Sequence, residues 1–351
     1  MSFANRAFAK VFRDKLEIPV IQGGMGVGIS MGKLAGSVAA CGGMGVISTA
    51  LIGFREEDFY QNHVEADVRA LRKEIQIAKE IADGRGMIAI NAMTVTTDYR
   101  ECIEAAVREG IDAIISGAGL PLALPELVDG KDVLIAPIVS SAKAAALIMR
   151  SWNKKCERKP DFIVVEGSGA GGHLGFKKEE LLNKSHQPLT EIVSDVVKVC
   201  GDIPVFAAGG IFDADDIKEV LKCGAYGVQM GTRFIACEEC DASQGFKEKI
   251  VKAKAEDLKI IQSPVGLPGR ALKSALHEQV EKEGRKAPSR CINCISTCDP
   301  KTTPYCISAA LISGFNGDEE NGLFFSGENC GRIDKIVKVR DLMDELSKGF
   351  E

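Results

Sequence analysis

His173 is the residue in this chain best suited to moving a proton. It sits in Glu166-Gly167-Ser168-Gly169-Ala170-Gly171-Gly172-His173-Leu174-Gly175, directly after the apolar run 162–165. The run has strand character and stops at an acid. The glycines behind it can take φ > 0 and let a flat ligand come close to the imidazole ring. Imidazole titrates near neutrality, which suits general acid–base work. A histidine in a glycine-rich turn can also be incidental, so the neighbouring segments decide. Similar turns follow other apolar runs: Gly23-Gly24-Met25-Gly26, Gly209-Gly210 and Gly231-Thr232, while Asn91 closes the run 87–90. Backbone amides in such turns, with the Thr232 hydroxyl, can hold a phosphate without a charged side chain.

One scaffold has to bring these turns together. Eight apolar runs, near 18–21, 44–47, 87–91, 111–116, 133–139, 162–166, 203–208 and 225–230, are mostly separated by helical patterns. Val64, Val68, Leu71, Ile75, Ala78 and Ile81 mark one such helix face, and Asp213 is placed to cap a helix over 213–223. Alternating strand and helix predicts a parallel sheet, and eight right-handed units predict a (β/α)₈ TIM barrel over 1–259. A doubly wound open sheet is the alternative. In such a barrel the active site lies at the C-terminal strand ends, with a phosphate site after strands seven and eight. The turns named above fall at those ends. The polar segment 177–188 reads as a cover over the His173 loop. Beyond 235 the periodicity changes. Residues 242–258 read as helical, 260–330 as an appendage packed on the barrel, and 331–351 as a closing helix marked by Ile333, Ile336, Val337, Val339, Leu342, Met343 and Leu346. His63, His186 and His277 read as surface or cap residues, and Cys237 and Cys240 as packing residues.

The totals exclude some function classes. The 351 residues carry 44 basic and 49 acidic side chains, a net charge of −5, which leaves no basic footprint for nucleic acid. No apolar run approaches membrane-spanning length. The start, 1–6, lacks the apolar core of a signal peptide, so a cytoplasmic setting with reduced thiols is the expectation for the 12 cysteines.

Four motifs in order, Gln22-Gly23-Gly24-Met25-Gly26, the Glu166–Gly175 segment, Ala208-Gly209-Gly210-Ile211 and Gln229-Met230-Gly231-Thr232-Arg233-Phe234, resemble those of the nitronate monooxygenase family. That family is close to the flavin-dependent enoyl-acyl-carrier-protein reductases, and the resemblance covers about 19–270. It implies FMN in the barrel. The phosphate would lie on Gly209, Gly210, Gly231 and Thr232, and the ring over Gly23, Gly24 and Met25. Asn91, Glu166, Gly171 and Gly172 would lie close to the cofactor, and His173 would face a small-molecule substrate. For a nitroalkane the resemblance makes His173 the base beside the nitro group; for an enoyl thioester, a group that handles substrate or proton. A homodimer is compatible with it. From another class, a non-catalytic flavin or metal electron carrier stands as the remaining reading.

The tail departs from the simpler family pattern. Cys291, Cys294, Cys298 and Cys306 are spaced C-x₂-C-x₃-C-x₇-C in a proline-bearing loop. Four thiolates there are a candidate set for a [4Fe–4S] cluster or Zn²⁺; the plain alternative is four separate cysteines, some buried as small apolar groups.

Overall fold

The computed structural model describes residues 10–351; the start read above for a leader lies outside them. Eight parallel strands close into a barrel: β1 (Val20–Gln22), β2 (Met44–Ser48), β3 (Met87–Met93), β4 (Ala113–Gly117), β5 (Leu134–Val139), β6 (Ile163–Glu166), β8 (Val205–Ala208) and β9 (Gly227–Met230). β9 pairs with β1 through Val20 and Val228, so no edge is left and the open-sheet alternative falls. All eight expected strands are present, with ends shifted by up to two residues.

Side-chain alternation explains the layers. Along each strand successive side chains point to opposite faces. Ile47, Ile88, Ile90, Ile114, Ile135, Ile163 and Val165 face outward onto the helices. Met44, Val46, Met87, Ala89, Ile115, Ala136, Phe162, Val164 and Phe206 fill the inside. Phe12 packs into the base of this inner core, edge-on to Phe162 and Phe206 and stacked on Tyr226. The outer ring includes α1 (Gly32–Ala40), α2 (His63–Ala82), α3 (Tyr99–Arg108), α5 (Ala142–Cys156), α7 (Leu189–Cys200) and α8 (Ala214–Lys222), with a short α4 (Leu124–Leu127) after β4. Asp213 caps α8 as expected, its carboxylate accepting from the amides of Asp215 and Asp216.

The C-terminal third differs from its sequence reading in detail. The expected helix over 242–258 is shorter, α10 (Gln244–Lys252), following the one-turn α9 (Thr232–Ile235). β10 (Leu258–Gln262) then begins, so a boundary at 259 falls inside a strand. β10 pairs with β11 (Pro268–Leu272), and β11 pairs with the two-residue β7 (Gly172–His173) from the barrel's own β6 loop. α11 (Ala275–Glu283) and α12 (Ile307–Phe315) complete the appendage. The closing helix α13 is confined to Val339–Ser347; Ile333, Ile336 and Val337 precede it, and Val337 bridges to Cys237. The 177–188 segment contains α6 (Lys178–Leu182), which buries Leu181 beside Leu174 and Phe176.

Candidate active site

The period-two rule that fills the barrel also builds its mouth. Continuing the inner face past Val46, Ala89, Val164 and Phe206 brings Ser48, Asn91, Glu166 and Ala208 to the C-terminal rim. All four line a cavity of about 490 Å³. Every barrel residue singled out from the sequence lines this same cavity: Gly23, Gly24, Met25, Asn91, Glu166, Gly171, Gly172, His173, Gly209, Gly210, Gly231 and Thr232. Its size is within the roughly 300–1,000 Å³ typical of ligand and cofactor sites.

The first loop is held by Gln22. Its Nε2 donates to Ser30 Oγ (2.8 Å) and its Oε1 accepts from the Val46 amide (3.2 Å). Ser30 Oγ in turn accepts from the Met25 amide (2.9 Å). Gly24 has to be glycine, because a Cβ there would collide with Asn91 Cβ. On the opposite rim Gly209 and Gly210 have φ of +86° and +90°, a region that disfavours other residues. Both residues line the cavity, and neither has room for a side chain.

His173 belongs to both halves of the molecule. It lies on β7, opposite Gly269, and Leu174 N donates to Pro268 O (2.9 Å). Its Nε2 shares a 2.8 Å hydrogen bond with Ser263 Oγ, and its ring packs edge-on against Phe325 at 5.1 Å. Ser263 is 3% exposed, so this contact is shielded from solvent. Burial lowers the His173 pKa to about 4, and the imidazole is neutral at physiological pH. Glu166 moves the other way: burial with no cationic partner pushes it up to about 8, so its carboxyl keeps its proton at neutrality. Both side chains reach the cavity wall, and each shift has the direction expected of a group short of water.

Several wall residues were not found from the sequence. Phe325, Leu267 and Leu311 come from the appendage and give the outer cavity an apolar surface together with Leu120, while Ser263 of the same region bonds His173 without lining the cavity. Ser326, Gly327, Glu328 and Asn329 lie against the glycine rim: Gly327 N donates to Thr232 Oγ1 (2.9 Å) and Asn329 Nδ2 to Gly210 O (2.7 Å). The Glu328 carboxylate sits beside Gly169 and Gly210 and 3.7 Å from Arg270. The expected cover, 177–188, contributes nothing to the cavity wall; Leu267 and 325–329 stand there instead. The reason is that Leu181 finds its apolar partners on the outer side of the loop. His277 is buried rather than on the surface, its Nδ1 3.1 Å from Ser274 Oγ at the start of α11. His186 is bonded to Ser168 Oγ (3.0 Å). Cys237 and Cys240 are buried packing residues, though in a turn after α9 rather than a helix.

Among the described residues two buried polar atoms of this wall, Gln229 Oε1 and Ser326 Oγ, have no hydrogen-bond partner within normal distance. Orphaned buried polar groups are costly, and a polar ligand would satisfy them. With the Gly209–Gly210 turn and the Thr232 hydroxyl, they fit a phosphate-bearing, polar-edged cofactor.

The tail cysteines lie elsewhere. Cys291, Cys294, Cys298 and Cys306 line a second cavity of about 70 Å³. Their thiols do not converge in this arrangement: among the described residues no three His, Cys, Asp or Glu groups form a metal-holding set. Cys294 Sγ is 2.9 Å from Ser308 Oγ, and Cys291 Sγ pairs with Asn293.

The fold and the mouth together define a (β/α)₈ barrel enzyme with a cofactor-sized cavity at its strand ends. The family model for nitronate monooxygenase matches residues 10–349, and the chain belongs to the nitronate monooxygenase family. It is an oxidoreductase of this flavin-dependent type. The probable nitronate monooxygenase of Bacillus subtilis (strain 168) is 27% identical across 97% of both chains. A Rhodococcus jostii (strain RHA1) protein, (3aS,4S,5R,7aS)-5-hydroxy-7a-methyl-1-oxo-octahydro-1H-indene-4-carboxyl-CoA dehydrogenase, is 24% identical over 93% of this chain and 91% of its own. Among solved structures, FabK from Thermotoga maritima superposes with a TM-score of 0.77 at 25% identity, covering 98% of this chain and 95% of that one. Among the described residues no helix is long and apolar enough to cross a membrane.

Proposed function

We propose that the chain binds FMN and oxidises nitronates with O₂. The observation that carries this reading is the cavity that sets the open Gly209–Gly210 and Gly231–Thr232 rim and a neutral, fixed His173 in one wall. Gly209, Gly210, Gly231 and Thr232 would hold the phosphate, and Gly23, Gly24 and Met25 would support the ring, with Asn91, Glu166, Gly171 and Gly172 along its edges. The flavin supplies electron transfer from the substrate and reaction with O₂.

The protein's own residues set the substrate preference. An ordinary histidine base contributes on the order of 10²–10⁴ in rate. At a pKa of about 4, His173 is always free to accept a proton but is a weaker base, so its contribution belongs at the low end of that range. A nitronate arrives already deprotonated and needs no such step. The Ser263 hydrogen bond fixes the ring's orientation while substrate binds, and Phe325, Leu267 and Leu311 exclude water from the outer side.

A second reading has its own observation. Glu166, held protonated, offers a proton inside the cavity, and the apolar outer wall suits an acyl chain. That supports an enoyl-thioester reductase using NAD(P)H, in line with the acyl-CoA named for the Rhodococcus jostii relative. The two separate in a steady-state assay on the FMN-loaded chain. The first reading expects O₂ uptake with propyl nitronate and no NAD(P)H consumption with crotonyl-CoA. The reverse pattern would replace it with the second.

A further inference from the structure

We propose that Cys291, Cys294, Cys298 and Cys306 are the ligands of a [4Fe–4S] cluster bound beside the main cavity. All four residues line one small cavity, Cys294 and Cys298 also touching the apolar cluster beside it. Two charges of the right sign adjoin the cavity. Cys306 is the N-cap of the nine-residue α12, whose first amides favour a thiolate and a negatively charged cluster. Arg290 lines the cavity, and its guanidinium is held 4.2 Å over the Tyr60 ring.

The backbone around the thiols is already fixed to the barrel. Thr97 N donates to Cys294 O (3.1 Å), Ser296 N to Val95 O (2.9 Å) and Lys286 N to Pro304 O (2.7 Å). The segment therefore has its own anchors, and a metal is not needed merely to order it; this favours a redox centre over a structural zinc. Cys294 and Cys291 are turned onto Ser308 and Asn293, and ligation requires both thiols to leave these partners. Cys291 is exposed, which gives metal an entry path.

Position supplies the role. α12 runs from Cys306 at the small cavity to Leu311 in the wall of the main one. Five residues of helix span about 7.5 Å. On the FMN reading above, a one-electron centre would stand next to a two-electron site. A reduced iron–sulfur or flavodoxin-type protein would give up one electron at a time. The cluster would take each electron and hand it on, twice per two-electron reduction.

The test uses the full chain, purified anaerobically and reconstituted with ferrous iron and sulfide. Iron and acid-labile sulfide should each approach four per chain, with visible absorbance that dithionite bleaches and a low-temperature EPR signal from the reduced state. The double substitution Cys291→Ser, Cys306→Ser should lower iron and sulfide at least tenfold while the melting temperature holds. Background iron and sulfide in the unsubstituted chain, or one zinc per chain in their place, overturns the cluster; so does a cluster that the double variant retains. Flavin content, measured in the same sample, reports separately on the FMN reading.

Discussion

The two sides of the main cavity are built by different means. The inner side is barrel wall: Ser48, Asn91 and Glu166 stand there because each lies two residues beyond a buried inner-face residue on its strand. The outer side is made by chain from more than 80 residues away, brought over by the β7–β11–β10 sheet, with Ser263 and Phe325 closing on His173. The inner side offers backbone and polar groups; the outer side offers the apolar surface of Leu267, Leu311 and Phe325, with Ser326, Glu328 and Asn329 set against the glycine rim. A cofactor needs a rigid, bare cradle; a substrate needs a wall that can be varied. The division suggests that the barrel fixes the cofactor and the appendage fixes the substrate.

Breaking the inner side should have the largest effect. Gly209→Ala places a side chain at φ +86° and 2.7 Å from Gly167 O. Strain of this kind costs about 1–3 kcal/mol. We expect a purified variant depleted of flavin, with a melting temperature a few degrees lower. Normal flavin content would show that this rim does not hold the cofactor.

His173→Asn tests the seam between the two sides. Turnover of neutral nitroalkanes should fall on the order of 10²-fold, with propyl nitronate turnover within a few-fold of the parent. Equal losses on both substrates would remove the base role.

The pH profile comes next. Proton acceptance by His173 requires the neutral ring, so nitroalkane activity should be lost only as pH falls through about 4, not through the ordinary histidine value of 6.5. If the Glu166 proton takes part, activity is lost as pH rises through about 8, and Glu166→Gln removes that alkaline limb. An acid limb near 6.5 would contradict the burial argument for His173.

On the outer side the effects should be smaller. Ser263→Ala removes one hydrogen bond, worth about 0.5–1.5 kcal/mol. A three- to tenfold fall in kcat is expected with flavin content unchanged. Loss of flavin instead would erase the division between the two sides. Glu328→Gln removes a half-exposed carboxylate from beside the glycine rim, and should tighten FMN binding by no more than a few-fold.

The same division governs what could be read from the sequence. The barrel strands and the rim residues follow from local periodicity and from glycine turns at strand ends, both of which are written in short stretches of chain. Ser48 follows from the same alternation but sits in no glycine turn, and Gln229, though it opens the fourth motif, carries no sign of its own that it enters the cavity. Ser263, Phe325 and Glu328 have no local signal: their place depends on β11 pairing with a two-residue strand from the β6 loop. The 177–188 segment misled because polarity and length suggest a lid, whereas Leu181 anchors it away from the mouth. His277 misled because a lone histidine in a charged stretch gives no sign of burial beside Ser274.

The account stands most directly on the flavin and what reduces it. The deciding measurement is an anaerobic absorption spectrum of the FMN-loaded chain, followed by propyl nitronate and, in a separate cuvette, NADH. Flavin bands that bleach with the nitronate and not with NADH are the predicted result. A chain that shows no flavin bands after incubation with FMN, or whose bands ignore the nitronate, would contradict it.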